Sequence, residues 1–292
     1  MHLATPDGPL PGHATTRRTL GLGLFTGFAL GAGPAMATAI TTSAEGLETR
    51  AVTIPSGGFD LPAFIALPDA ATRGRARLPV VIVVSEVFGL HAYIQDVCRR
   101  LAHQGYLAVA PGFFARAGDP APLTDWNAIR AIVNTATNEQ VMGDIAATLA
   151  WIGRQRFADA RRVGITGFCW GGAVTWMAAA RFDSLRAGVA WYGRLRTRPD
   201  QAGEQRQWPL DVAPQLKAPV LGLYADRDDG IPLADVEAMR AVLPPGSEIK
   251  VYPDTRHGFH ADYRPMYAPA AAHDGWVRML SWFQRAGLAV AR

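Results

Sequence analysis

The chain has 292 residues, 49% of them hydrophobic and 18% charged, with a formal net charge of +4. That much apolar material at this length supports a sizeable core and excludes disorder as the state of the body. The positive charge is spread as single arginines with only two lysines, Lys217 and Lys250, and the densest basic stretch is Arg194-Leu195-Arg196-Thr197-Arg198. A nucleic-acid-binding function needs basic clusters interleaved with aromatic residues, so it is excluded too.

The first 39 residues read as an export leader. Thr16-Arg17-Arg18-Thr19-Leu20 precedes an apolar, glycine-rich stretch from Gly21 to Ala32 without charges, followed by small residues at Ala35, Ala37 and Ala39. Twin arginines ahead of a modest apolar stretch and a small-residue cleavage site indicate twin-arginine export. The stretch is shorter than the roughly 20 residues that span a bilayer, so no stable membrane anchor is expected after cleavage. The mature protein is expected to begin near Ile40, after cleavage behind Ala37 or Ala39, and to lie in the periplasm or outside the cell.

Residues 40–292 read as one domain. Two β segments, Thr49 to Ile54 and Leu61 to Leu67, flank Pro55-Ser56-Gly57-Gly58 and predict an antiparallel hairpin. Pro79 to Val84 is a β-branched apolar run of the kind buried on both faces. A helix from about Tyr93 to Gln104 follows, carrying Cys98 on its apolar spacing as a buried structural thiol, and then a strand from Tyr106 to Ala110. A loop from Pro111 to Asp125 and short polar helical pieces lead to a long helix at about Glu139 to Gln155. Strands Val163 to Gly167, Ala187 to Tyr192, Pro219 to Tyr224 and Ile249 to Tyr252 and a final helix over Pro269 to Arg285 complete the pattern. Gly193 to Gln215, proline-rich and polar, reads as a loop beside the functional site. Strands alternating with helices indicate an α/β fold with a mainly parallel central sheet flanked by helices.

In such sheets functional groups collect at the C-terminal strand ends. Gly167-Phe168-Cys169-Trp170-Gly171-Gly172 joins an apolar strand to a small-residue helix. This is the setting of a nucleophile elbow with cysteine at the serine position, where glycine on both sides makes room for a strained turn. The helix N-terminus favours thiolate over thiol. Asp228 follows the strand ending at Tyr224, and His257 follows the strand ending at Tyr252. The chain order Cys, Asp, His matches a hydrolase triad: His257 would take and return the proton, and Asp228 would fix its tautomer. The backbone N–H of Trp170 is the first candidate oxyanion donor and that of Val87 the second. Glu86, in Ser85-Glu86-Val87-Phe88-Gly89, is a carboxylate at the end of a buried strand and is expected to have a task there. Tyr192 is a candidate pocket residue. A metal site from His257, His260 and Asp262 is set aside because the triad explains His257 and zinc would need another ligand.

Those motifs, together with Ile231-Pro232 after Asp228 and His257-Gly258-Phe259, resemble the dienelactone hydrolase family over about residues 46–286. The resemblance implies a single α/β-hydrolase domain and a Cys-His-Asp esterase that opens ester or lactone bonds without metal or organic cofactor. It implies that Glu86 engages the resting cysteine and helps form the thiolate when substrate binds. Family enzymes hold the dienelactone carboxylate with two arginines. Gly112-Phe113-Phe114-Ala115-Arg116 resembles the segment carrying one, which makes Arg116 a substrate-binding candidate beside Phe88 and Tyr192. The other belongs four residues after the histidine, where this chain has Ala261 and only Arg264 nearby. The expected partner is a small ester or lactone, anionic or not, and the expected state is a monomer. The alternatives are an exported short-chain carboxylesterase and a non-catalytic redox sensor in which Cys169 is a reversible thiol.

Overall fold

The apolar runs assemble, among the described residues, into one eight-stranded sheet. The structure is a computed structural model that describes residues 39–197 and 206–290. All of the expected leader except Ala39 lies outside the described residues. The strands are β1 (Leu47–Ser56), β2 (Phe59–Pro68), β3 (Leu78–Val84), β4 (Leu107–Pro111), β5 (Ala158–Phe168), β6 (Leu185–Trp191), β7 (Val220–Ala225) and β8 (Glu248–Tyr252). Their order is β1-β2-β4-β3-β5-β6-β7-β8, antiparallel at β1/β2 and β2/β4 and parallel elsewhere. This is the α/β sheet that the alternating pattern implied, with an antiparallel hairpin at one edge. Gly57 and Gly58, at φ 55° and 78°, form the two-residue turn of that hairpin, where only residues tolerant of positive φ suit the strand twist.

Every residue of β3, β4 and β7 is buried, as expected of central strands covered on both faces. The helices are α1 (Ala70–Arg73), α2 (Ala92–His103), α3 (Trp126–Val133), α4 (Asn138–Gly153), α5 (Trp170–Arg181), α6 (Pro209–Val212), α7 (Leu233–Val242) and α8 (Pro269–Arg285). Successive strand residues point to opposite faces, which shows where two of these helices sit. A Cβ at Gly164 of β5 would meet Phe283 of α8 and Leu288, whereas one at Gly167 would meet Thr175 of α5. Helices α5 and α8 therefore cover opposite faces of β5.

Sequence and structure differ at three points. Strand β5 starts at Ala158, five residues before Val163, because exposed Arg161 and half-buried Arg162 continue the strand through a register shift against β3. Helix α7 escaped the sequence reading because only Val236 and Met239 of its ten residues are buried, too few to print a periodic stripe. The stretch expected as one loop over Gly193 to Gln215 contains α6 and a 3-10 turn, Ala213–Gln215. Cys98 is fully buried on α2 and unpaired, and burial pushes its thiol pKa up, so it stays protonated and unreactive.

Candidate active site

Five neighbouring strands, β3, β5, β6, β7 and β8, deliver chemically useful residues at their C-terminal ends. Cys169 stands between β5 and α5 at φ 54°, ψ −115°, a backbone state that costs a non-glycine residue of order 1–3 kcal/mol. The surrounding packing enforces it. A Cβ at Gly167 would lie 2.1 Å from the Gly171 carbonyl oxygen, one at Gly171 2.3 Å from that of Val84, and one at Gly172 2.5 Å from that of Trp191. These are rigid backbone atoms, so the glycines let the turn nest between β3 and β6. The Cys169 N–H donates to Trp191 O at 3.0 Å, fixing the turn against β6. The Trp170 N–H, at the first helical position, has no carbonyl of its own helix to bond.

The loops after β7 and β8 are tied to each other. Arg227 N–H donates to Thr255 O at 3.0 Å, and Thr255 N–H donates to Asp226 Oδ1 at 3.2 Å. This brings His257 onto Asp228, with Nδ1–H donating to Oδ2 at 2.7 Å, while Gly230 N–H holds the other carboxylate oxygen at 2.8 Å. Burial alone would lower the His257 pKa, but the sulfur of Cys169 and the carboxylate of Asp228 outweigh it and hold it up to about 10. The Tyr192 ring packs edge-on against His257 at 5.2 Å between centroids, itself at φ 38°.

Glu86 is almost fully buried. It accepts a hydrogen bond from the Tyr263 hydroxyl at 2.7 Å, and His91 Nε2 lies 3.4 Å from the same oxygen. Burial would raise its pKa, yet His91, the Arg264 charge and the Tyr263 hydroxyl together keep it below the ordinary value. The turn that follows is closed by Gly89 N–H donating to Glu86 O at 3.2 Å, with Gly89 at φ 69°, and it carries the Val87 N–H and the Phe88 ring. Phe88 lies 6.4 Å from Trp126, and the Arg264 guanidinium sits 5.9 Å from the Phe88 centroid. Arg264 lies against Gly258, the neighbour of His257, whose added Cβ would stand 3.1 Å from Nη1, and the charges of Glu86 and of the Cys169 sulfur both raise its pKa against the effect of burial.

Arg116 requires a correction. Expected to hold a substrate carboxylate, it instead makes a two-pronged pair with buried Asp144, at 2.7 and 2.8 Å. It also donates to Ser56 O at 3.1 Å and stacks over Phe59. The planar guanidinium is spent on a carboxylate that burial would otherwise leave unpaired. The preceding residues of its segment do reach the elbow, since Phe113 and Phe114 pack on Trp170.

The three residues weighed as a metal set go separate ways: His257 to Asp228, His260 Nδ1 to the Tyr93 hydroxyl at 2.6 Å, and Asp262 to Arg100. Burial and the Arg100 charge push the His260 pKa well down, so its ring is neutral. Among the described residues no group of three or more His, Cys, Asp or Glu side chains is arranged to hold a metal ion. The sequence reading missed Tyr263 and His91. Tyr263 carries no local signal, and His91 reads as an ordinary helix-start residue.

The model of the dienelactone hydrolase family matches residues 61–287. The chain belongs to the dienelactone hydrolase family. A Salmonella typhi protein named "Putative carboxymethylenebutenolidase" is 46% identical over 266 residues, 90% of this chain and 96% of that one. A Bradyrhizobium protein named "Probable 2-oxo-3-(5-oxofuran-2-ylidene)propanoate lactonase" is 30% identical over 236 residues, 80% and 92% of the two chains. The crystal structure titled "Putative Dienelactone Hydrolase" from Klebsiella pneumoniae superposes with a TM-score of 0.77 at 43% identity, covering 82% of this chain and 99% of that one. This member of the dienelactone hydrolase family is a carboxylic ester hydrolase on the α/β-hydrolase fold.

Proposed function

We propose that this hydrolase opens ester or lactone bonds through a thioacyl-enzyme formed on Cys169. The observation that carries the reading is the strained Cys169 elbow beside a His257 that is hydrogen-bonded to Asp228. The thiolate attacks the carbonyl carbon, and the resulting oxyanion is met by the N–H groups of Trp170 and Val87. His257, as imidazolium, gives its proton to the leaving oxygen. Then, as neutral imidazole, it takes one from the water that attacks the thioester, and the acid leaves with the thiolate–imidazolium pair re-formed. Asp228 holds the imidazole in one tautomer and stabilises its charged form.

The pH dependence follows from His257. Its value of about 10 lies above the unperturbed value near 6.5. The stabilisation from the ion-paired site is therefore complete below about 6.5 and is lost as pH rises through about 10. The alkaline limb of kcat/KM is expected near 10, measured on a neutral ester with a buffer series. A limb near 6.5 would remove the ion-paired resting state.

An anionic lactone is the substrate class we favour, and Arg264 is the side chain assigned to its carboxylate. Supporting this are the position of Arg264 beside Gly258, next to His257, and against Phe88 and the names of the relatives, which include a propanoate lactonase. The diversion of Arg116 to Asp144 favours a second reading, a short-chain carboxylesterase. Turnover of dienelactone beside p-nitrophenyl acetate separates them. For the lactone, Arg264→Ala is expected to raise KM by about 10- to 100-fold, the loss of one charge-assisted pair, with a much smaller change for the neutral ester. Turnover of the neutral ester alone supports the carboxylesterase, and turnover of neither supports a thiol sensor. Export through the twin-arginine route completes the proposal, and its test is a periplasmic protein whose first residue is 38 or 40.

A further inference from the structure

His260 is a titratable residue that the proposed chemistry leaves unused, and it is 3% exposed. It lies three residues after His257, in the turn that Ala261 N–H closes onto Gly258 O at 2.9 Å. Its neutral ring is set among aromatic side chains. The centroid is 5.3 Å from that of Phe168 and 4.5 Å from that of Trp191, and the ring stacks on Trp276 of α8 at 5.8 Å. Two of those residues hold the elbow: Phe168 immediately precedes Cys169, and the Trp191 carbonyl accepts the Cys169 N–H. Within this nest His260 Nδ1 shares a 2.6 Å hydrogen bond with the hydroxyl of Tyr93, the second residue of α2. The Tyr93 ring meets Phe168 edge-on at 5.8 Å, so tyrosine and histidine close on the residue before Cys169 from two different elements.

Packing alone would be served at lower cost by two apolar rings, since a buried imidazole and a buried phenol each lose their hydration and must find partners. What the pair adds is direction, because a short hydrogen bond in a buried aromatic setting fixes the orientation of both rings. We propose that His260 is a positioning residue, tied by Tyr93 to the strand end that carries Cys169, and that this tie sets the His257 turn at its working distance from the elbow. Arg100 of the same helix holds Asp262 further along the loop, so loss of the Tyr93 hydroxyl loosens the turn without undocking it. The inference rests on the reading of Cys169 as nucleophile and His257 as its base. It adds two residues that act through His257, one on the loop after β8 and one on α2.

The test is the steady-state kinetics of the mature protein on p-nitrophenyl acetate against pH, with Tm measured beside it. Tyr93→Phe keeps the ring and removes the hydroxyl. It is expected to lower kcat by about ten-fold or more with KM within about two-fold, the effect of a small displacement of the reacting groups. It should also move the alkaline limb of kcat/KM down by about half a pH unit or more, because His257 gives up part of the contact with Cys169 and Asp228 that raises its pKa. A tyrosine that serves only stability would lower Tm and leave both readouts in place. His260→Asn, whose side-chain amide reaches the position of Nδ1, should stay within about three-fold of wild type. His260→Leu should match Tyr93→Phe, and the asparagine and leucine pair decides the matter if the phenylalanine variant does not fold. The double variant Tyr93→Phe/His260→Leu should be no slower than the poorer single one. Wild-type kcat and limb in Tyr93→Phe, equal losses in His260→Asn and His260→Leu, or additive losses in the double variant would overturn the inference. Ester turnover by Cys169→Ala would overturn the nucleophile reading and this inference with it, whereas Cys169-dependent turnover with wild-type behaviour of Tyr93→Phe would overturn this inference alone.

Discussion

Cys169→Ala is expected to lower ester turnover by about 10⁴-fold or more while leaving the fold intact, because it removes the only proposed covalent step and no packing volume of consequence. Cys169 is only partly buried. The residual rate would come from the Trp170 and Val87 N–H groups and from substrate binding. His257→Ala should give a loss of similar size, and the double variant should be no worse than the poorer single one, since the two groups act as a unit. Additive losses would mean that cysteine and histidine serve separate steps. Stopped assays with p-nitrophenyl acetate, with circular dichroism to verify folding, provide the comparison.

Gly171→Ala is expected to be strongly destabilising for a single-methyl change. Its Cβ would stand 2.3 Å from Val84 O and 2.6 Å from Ser85 O, both backbone atoms at the end of the central strand β3. Relief requires moving α5 away from β3 or bending the strand, and such overpacking against backbone costs about 3 kcal/mol or more. For a domain of this size that corresponds to a Tm lower by roughly 6–12 °C. The same movement displaces Cys169 from His257, so activity should fall further than stability does. Gly143→Ala is the control. That position on α4 has open space around its added Cβ, and the change should be neutral or slightly stabilising, given the better helix propensity of alanine. A Gly171→Ala protein with unchanged Tm would show that the elbow has more room than this geometry allows.

Much of this architecture was legible because the residues that form it have short-range signatures. The continuous apolar run of β3, the two glycines flanking Cys169, and Asp228 and His257 just beyond their strands each announce a local conformation, and sheet topology brings them to one edge. What escaped was relational. Arg116 looked like a free cation because its partner, Asp144, is 28 residues away on the face of α4 that turns inward. Tyr263 looked like a loop residue because Glu86 lies 177 positions earlier. Helix α7 escaped for a different reason, since a mostly exposed helix carries little apolar pattern to read.

The most direct test of the account is to mix the mature protein with p-nitrophenyl acetate, quench in acid within the first turnovers and map the added mass by peptide mass spectrometry. The account predicts one acetyl group on the peptide containing Cys169, none on Cys98, and no adduct in Cys169→Ala. An adduct on another residue, or steady ester turnover by Cys169→Ala at the wild-type rate, would contradict it.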